Sequence, residues 1–363
     1  MIQPKVWQKG AKIAIVSLSS GLLGEAFCQH NVEIGAKRLK EMGLIPVFMP
    51  NSLKGMAFVK NHPEKRATDL KAAFLDPTIK GILCAVGGED TFLTIPYLLE
   101  DPEFIAAVKN SPKIFSGFSD TTVNHLLFYQ LGLMTYYGPT FLTDLADIGP
   151  EMLPYTKKNF QRFLGIEPEQ AIRASACWYE ERQDFSIAAI GEKRIAHEEH
   201  NGFQWLQGEG AIEGELLGGC LESLVDLLIG ARFPEEKVIT EKYQLFPPDT
   251  QWQGKVIFLE TSEEKPHPSA FKKILQKLKE SGIFKRANGV LFGKPQDQVF
   301  AKEYDQILVE VIANPALPIV SNINFGHAYP RTILPYGAKI EIKENGTAIH
   351  FKEEIFDYLK STD

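Results

Sequence analysis

The chain has 363 residues, 44% of them hydrophobic and 23% charged, and a formal net charge of −7. That length favours two domains, and the balance is that of an ordinary globular protein. The acidic excess argues against a nucleic-acid or anionic-membrane partner, because both favour a basic face.

Cys28, Cys84, Cys177 and Cys220 lie far apart with no CxxC pair. Free thiols in a reducing compartment are therefore expected, and neither a metal nor a cofactor is indicated. The opening MIQPKVWQKGAKIAIVS lacks the apolar stretch of a signal peptide. No apolar run approaches the ~20 residues needed to span a bilayer. The expected location is cytoplasmic.

Lys12–Leu18 (KIAIVSL) reads as a buried strand, continuous and rich in β-branched residues. Helical spacing follows from about Asn31 to Met42, then a second strand at Ile45–Met49. Arg66–Phe74 predicts a helix, Gly81–Val86 a third strand, and Thr91–Leu99 a helix beyond Gly87–Gly88. Lys113–Phe115 is a short fourth strand before a helix from about Thr121 to Leu131. This alternation predicts an α/β domain with a parallel sheet.

Residues 169–213 break the pattern, with few periodic apolar positions and charge runs such as His197–Glu198–Glu199–His200. They read as a linker near Gly165–Glu169 and a partly exposed segment. A second α/β region starts near Gly214. It holds a helix at about Gly219–Gly230, a strand Lys255–Glu260, a helix at about Ser269–Ser281, and strands Gly289–Phe292 and Ile319–Asn322. Ala338–Ile342 and Thr347–Phe351 flank Glu344–Asn345–Gly346 as a hairpin. The expected division is 1–168, 169–213 and 214–363.

Ser119, in Phe115–Ser–Gly–Phe–Ser–Asp–Thr–Thr, lies between a strand and a helix. A serine on such a turn is exposed at the carboxyl edge of the sheet, beside unpaired helix amides that can stabilise an oxyanion. The GxSxG elbow is matched only in part, since Thr121 replaces the second glycine. A plain helix N-cap explains the same residue. Gly87–Gly88–Glu89–Asp90 lets a backbone amide approach a ligand, or simply makes a tight turn. It also looks like the glycine turns of some nucleotide kinases.

Of eight histidines, His327 stands apart. It sits in Asn322–Ile–Asn–Phe–Gly–His–Ala–Tyr–Pro330, a loop beyond a buried strand. His62 and His350 read as exposed, and His125 as a packing or surface residue. His197 and His200 are spaced i, i+3 and not as in HExxH. Glu260 closes the apolar strand VIFLE, where a carboxylate needs a partner. That partner can be a base it orients or a surface cation.

Together these segments resemble the serine LD-carboxypeptidase family, which includes the microcin C self-immunity proteins. The resemblance rests on Gly10–Ala–Lys–Ile–Ala–Ile–Val–Ser, Glu64–Lys–Arg–Ala–Thr–Asp–Leu, Gly117–Phe–Ser–Asp, Tyr137–Gly–Pro, Gly214–Glu–Leu–Leu–Gly–Gly–Cys–Leu, Phe258–Leu–Glu and Asn324–Phe–Gly–His. It implies an N-terminal flavodoxin-like or glutamine-amidotransferase-like domain and a C-terminal swivelling α/β domain. It also implies Ser119 as nucleophile, Glu260 and His327 as its partners, and the amides of Gly88 and Asp120 as oxyanion donors.

The murein-trimming branch usually carries an Arg-Gly-Gly-Tyr turn, and here the turn is Val86–Gly–Gly–Glu. With the long middle segment, this looks like the microcin-immunity branch. There, Trp178 and Trp205 can stack on a nucleotide base or simply pack. The expected substrate is a peptidyl- or aminoacyl-nucleotide, or else a murein tetrapeptide, and the resemblance suggests a homodimer. The readings of another class are a silent small-ligand binder and a nucleotide-dependent kinase.

Overall fold

The structure is a computed structural model that describes residues 1–166 and 171–358. The expected linker near Gly165–Glu169 falls largely outside those residues. The chain divides into two compact units. Unit one is Met1–Pro168 with Arg182–Arg194 and Ile355–Asp363; unit two is Glu169–Glu181 with Ile195–Glu354.

Unit one holds a sheet of β1 (Lys12–Val16), β2 (Ile45–Phe48), β3 (Ile79–Cys84), β4 (Ile114–Gly117) and β5 (Tyr136–Tyr137). Neighbours run β2-β1-β3-β4-β5, all parallel. That is the flavodoxin-like order, whose ligand crevice lies where the chain leaves β1 and β3 in opposite directions. Its helices are α1 (Gln29–Glu41), α2 (Met56–Asn61), α3 (Pro63–Leu75), α4 (Ile95–Leu99), α5 (Pro102–Asn110), α6 (Thr122–Gln130) and α7 (Pro154–Gln161). Local signals explain their starts. Pro63 opens α3, where a missing N–H costs nothing, and the Asp101 carboxylate caps α5 by accepting from the amides of Glu103 and Phe104.

Unit two carries short strands β6 (Ala171–Arg173), β7 (Cys177–Tyr179), β8 (Ala196–Glu198) and β9 (Gln204–Gln207). Longer ones follow: β10 (Ile212–Cys220), β11 (Lys255–Glu260), β12 (Gly289–Gly293), β13 (Ile319–Ile323), β14 (Lys339–Ile342) and β15 (Ala348–Phe351). The sheet order is β6-β15-β14-β10-β11-β12-β13-β9, with β7 and β8 forming a separate pair. The β10 to β13 core is parallel and the flanking pairs antiparallel. Helices α8 (Leu221–Ile229), α9 (Pro234–Tyr243), α10 (Pro268–Glu280) and α11 (Ala301–Ile312) complete it.

Two departures from the sequence reading have a clear physical reason. Four short strands occupy the middle stretch read as irregular; at 3 or 4 residues each they are too brief to show a period. Strand β10 runs on through Gly219 to Cys220, where the sequence reading had already begun a helix. A Cβ on Gly218 would sit 1.8 Å from the Phe258 carbonyl oxygen, so these glycines serve a close backbone approach.

Among the described residues, no helix is long and apolar enough to cross a membrane, and no cluster of three or more His, Cys, Asp or Glu is placed to hold a metal. The four cysteines are free thiols.

Residues 182–194 are fastened to unit one by charge. Asp147 pairs with Arg182 at 3.1 Å and Arg194 at 2.7 Å, and none of the three side chains is more than 7% exposed. Burial alone would raise the Asp147 pKa, but the guanidiniums outweigh it and hold the carboxyl below its usual range. Replacing Asp147 with Ala takes the carboxylate from two buried cations. The expected cost is about 3–5 kcal/mol in chemical denaturation. An unchanged midpoint would contradict this.

Candidate active site

In unit one, the turns leaving β1, β3 and β4 are tied together. Ser19 Oγ accepts from the amides of Glu89 (2.8 Å) and Asp90 (3.1 Å) and donates to the Asp90 carboxylate at 3.3 Å. Arg66 of α3, 1% exposed, donates to Asp90 Oδ1 at 2.6 Å and to the Leu18 carbonyl at 3.0 Å. The Asp120 carboxylate accepts from the Thr91 amide at 2.9 Å. Burial pushes the Asp120 carboxyl up to about 6 despite the hydrogen bond from the Thr91 amide. This gives the Glu64–Lys–Arg segment its purpose: Arg66 braces the Gly87–Asp90 turn.

Ser119 follows β4 with φ +67. A left-handed backbone at a non-glycine residue costs about 1–3 kcal/mol and persists only where its surroundings fix it. The Ser119 amide donates to the Tyr137 hydroxyl at 3.0 Å. A Cβ on Gly87 would meet the Ser119 Cβ at 2.9 Å and its Oγ at 3.1 Å, so the Gly-Gly turn lies against the serine side chain. Gly88 has φ +152, and a Cβ there would lie 2.2 Å from Ser19 Oγ.

The helix-cap reading of Ser119 finds no support. Phe118 and Thr121 occupy the cap positions of the short 3-10 turn and of α6, and neither makes a side-chain cap bond. The amides of Gly88 and Asp120 donate to no backbone acceptor among the described residues. A cavity of about 550 Å³ in unit one, lined by Lys5, Lys9, Lys80 and Lys113 among others, lies at the amino ends of β1, β3 and β4, away from Ser119.

In unit two, Glu260 ends β11 with 1% of its side chain exposed, and His327 lies beyond β13 with 7% exposed. The structure brings them together. Glu260 Oε2 is 2.7 Å from His327 Nδ1 and accepts from its backbone amide at 3.2 Å. A third residue joins them: Glu263 Oε2 is 2.9 Å from His327 Nε2. Burial alone would lower the His327 pKa, but the two carboxylates outweigh it and raise it to about 10. The hydrogen bond from His327 is the main cause that takes Glu263 down to about 2.

Behind Glu260 lies Glu222, whose carboxylate accepts from the Ser262 amide (3.0 Å) and hydroxyl (2.8 Å) and from the Cys220 thiol (3.4 Å). Burial and the nearby Glu260 raise its pKa. Sequence reasoning missed Glu263 and Glu222. In Thr261–Ser–Glu–Glu the acids read as a solvated turn, and nothing in their spacing points at a histidine 64 positions away.

The His327 loop also carries β7. The Ser175 amide donates to Asn324 Oδ1 at 2.9 Å, and the Tyr179 amide to the Tyr329 carbonyl at 3.0 Å. Between them, half-buried Trp178 stacks on His197 of β8 at 4.1 Å and 13°. Trp205 sits on β9, where its indole donates to the Gly346 carbonyl at 3.3 Å. His125 is fully buried between Thr135 Oγ1 (2.8 Å) and the Gly117 carbonyl (3.0 Å), and burial lowers its pKa to about 3.

Residues 13–138 match the LD-carboxypeptidase N-terminal domain and residues 213–342 the C-terminal domain. An MccF-like protein from Streptococcus pneumoniae, solved in complex with AMP, is 47% identical with a TM-score of 0.91, over 94% of this chain and 99% of that one. YocD of Bacillus subtilis, which carries a carboxypeptidase designation, is 29% identical over 93% of this chain and 94% of its own. The microcin C7 self-immunity protein MccF of Escherichia coli is 23% identical over 80% of this chain and 79% of its own. The chain belongs to the LD-carboxypeptidase family, in its MccF-like branch. That membership places it among the hydrolases.

The Glu260–His327 pair predicts its own pH signature. A histidine raised above its ordinary pKa of ~6.5 contributes stability that is full below that value and lost as pH rises through about 10. Glu260→Gln is therefore expected to lower the His327 pKa, read by NMR of the imidazole. Its stability deficit against wild type should shrink above pH 10. An unmoved imidazole titration would refute the pairing.

Proposed function

We propose that the chain is a serine-type carboxypeptidase acting through an acyl-enzyme, with Ser119 as nucleophile, His327 as base and Glu260 as the residue that orients the base. The observation that carries this reading is the left-handed backbone of Ser119, φ +67, held against the Gly-Gly turn. A helix cap has no need of such a conformation, and a nucleophile elbow does. The buried Glu260–His327 contact at 2.7 Å supports it independently.

In this mechanism Ser119 Oγ attacks the scissile carbonyl carbon as His327 Nε2 takes its proton. The amides of Gly88 and Asp120 stabilise the oxyanion. The imidazolium then protonates the leaving nitrogen, the C–N bond breaks, and an ester to Ser119 remains. Water, deprotonated by the same imidazole, cleaves that ester. Glu260 accepts the Nδ1–H bond and so fixes that tautomer.

The substrate we favour is a peptidyl- or aminoacyl-nucleotide of the microcin C type, cleaved at the amide joining acyl group to nucleotide. The AMP bound by the 47% identical relative supports it, as does the stacked Trp178, a flat aromatic surface hung on the His327 loop. Trp205 is a weaker candidate for that contact, its indole N–H being engaged with Gly346. A murein tetrapeptide is the second reading, favoured by the family's carboxypeptidase activity. The setting we propose is a cytoplasmic homodimer, whose mass light scattering would read directly.

The test is a mass-spectrometric turnover assay of a murein tetrapeptide beside an aminoacyl sulfamoyl-adenylate. Faster cleavage of the adenylate is expected. Ser119→Ala should lower kcat by roughly 10⁴–10⁶, and near-wild-type turnover by that variant would sink the assignment. Gly88→Ala keeps the amide but forces the turn to shift, because its Cβ would lie 2.2 Å from Ser19 Oγ; kcat should fall by about 10²–10³ as the donor is displaced, with circular dichroism separating that from loss of fold.

A further inference from the structure

We propose that Glu263 is the specificity-determining residue for a cationic amine beside the scissile bond of the substrate, and that binding this amine detaches Glu263 from His327 and frees the base. This deepens the proposed function and rests on it.

The starting point is a conflict. His327 Nε2 is the nitrogen that must collect the serine proton, yet Glu263 Oε2 lies 2.9 Å from it. Glu260 already supplies the carboxylate a catalytic imidazole needs, on Nδ1. A second carboxylate on Nε2 stabilises the imidazolium and blocks the base. The contact is also built rather than incidental. Glu263 stands in a turn pinned on both sides: Ser262 by Glu222, and Lys265 by an ion pair with Asp297. Its carboxylate nonetheless keeps 65% of its side-chain surface open, so an incoming group can reach it.

The charges around His327 select the incoming group. Glu260 and Glu263 face the imidazole, with Glu222 and the Cys220 thiol behind Glu260. Arg331 donates to the His327 carbonyl at 3.4 Å and lies over the Tyr329 ring at 4.3 Å. Arg232 pairs with Asp226 and Glu264. Carboxylates outnumber cations here, so a substrate group that displaces the imidazolium from Glu263 must itself be cationic. A free α-ammonium, carried on the carbon next to the scissile carbonyl in an aminoacyl substrate, is placed to do so. The displaced imidazolium gives its proton to solvent, the ammonium keeps its charge, and His327 becomes the neutral base.

The experiment compares an aminoacyl sulfamoyl-adenylate with its N-acetylated form on the wild-type protein, Glu263→Gln and Glu263→Asp. Wild type should favour the free amine in kcat/KM by about tenfold or more, the scale of one charge-assisted contact. Glu263→Gln should lose that preference and Glu263→Asp should keep most of it. In the same Gln variant the acid limb of the pH profile should move to lower pH, as should the imidazole titration of His327 followed by NMR without substrate. An unchanged amine preference in Glu263→Gln overturns the proposal, and so does an unmoved imidazole titration. If wild type cleaves neither compound, the proposed function fails. The NMR titration and the relative binding of the two compounds to the Ser119→Ala protein then still decide Glu263.

Discussion

Glu260 is a carboxylate at the end of the apolar strand Val-Ile-Phe-Leu-Glu, with 1% of its side chain exposed. A charge cannot stay in such a place without close partners, because desolvation disfavours the ionised form. Much of the local architecture of unit two answers that demand. The loop after β13 delivers both the imidazole and the backbone amide of His327 to one Glu260 oxygen. The β7 strand in turn is tied to that loop through Asn324 and Tyr329. Changing the carboxylate therefore touches the base, its loop and the aromatic hairpin together.

Unit one solves a different problem by comparable means. There the cost is conformational: Ser119 in the left-handed region, beside a glycine turn with no room for a side chain. Such strain survives only where the surroundings over-determine the backbone. Tyr137 holds the Ser119 amide, Arg66 and Ser19 hold Asp90, and Asp120 holds Thr91. Three sheet turns become one rigid piece, and rigidity is what an oxyanion site needs, since its donors must not reorganise during reaction.

The parallel strands of unit one were legible because both faces of the sheet are covered. Of β1, only Lys12 is exposed, and β4 is buried throughout, so each reads as a continuous apolar run. Gly218–Gly219 misled for the opposite reason. Glycines before a helix pattern look like punctuation, and only the neighbouring Phe258 backbone shows them to be strand. The strands of residues 169–213 are short and half-exposed, so they leave no period to detect. Ser119 alone was ambiguous between cap and nucleophile, and its left-handed φ, which no sequence pattern announces, is what argues against the cap. Glu263 was illegible: a glutamate in a polar turn acquires meaning from a histidine distant in sequence.

The serine turn of unit one and the histidine pair of unit two differ in how they are held. The serine side is set in advance, with its backbone conformation and turns already fixed by buried hydrogen bonds. The histidine side is held back. The imidazole lies between two carboxylates that raise its pKa to about 10, so in the proposed mechanism it must shed a proton before it can act as base. Orientation and readiness are thus assigned to different acids. In that proposal the buried Glu260 fixes where the ring points, and the open Glu263 governs whether the ring carries its proton. A buried partner suits the first task because it is costly to move, and an exposed one suits the second because a competing cation can replace it. On the proposed reading, His327 Nε2 stays capped until a suitable cation is present, which would spare a proposed acyl-transfer site from acting on ill-fitting amides.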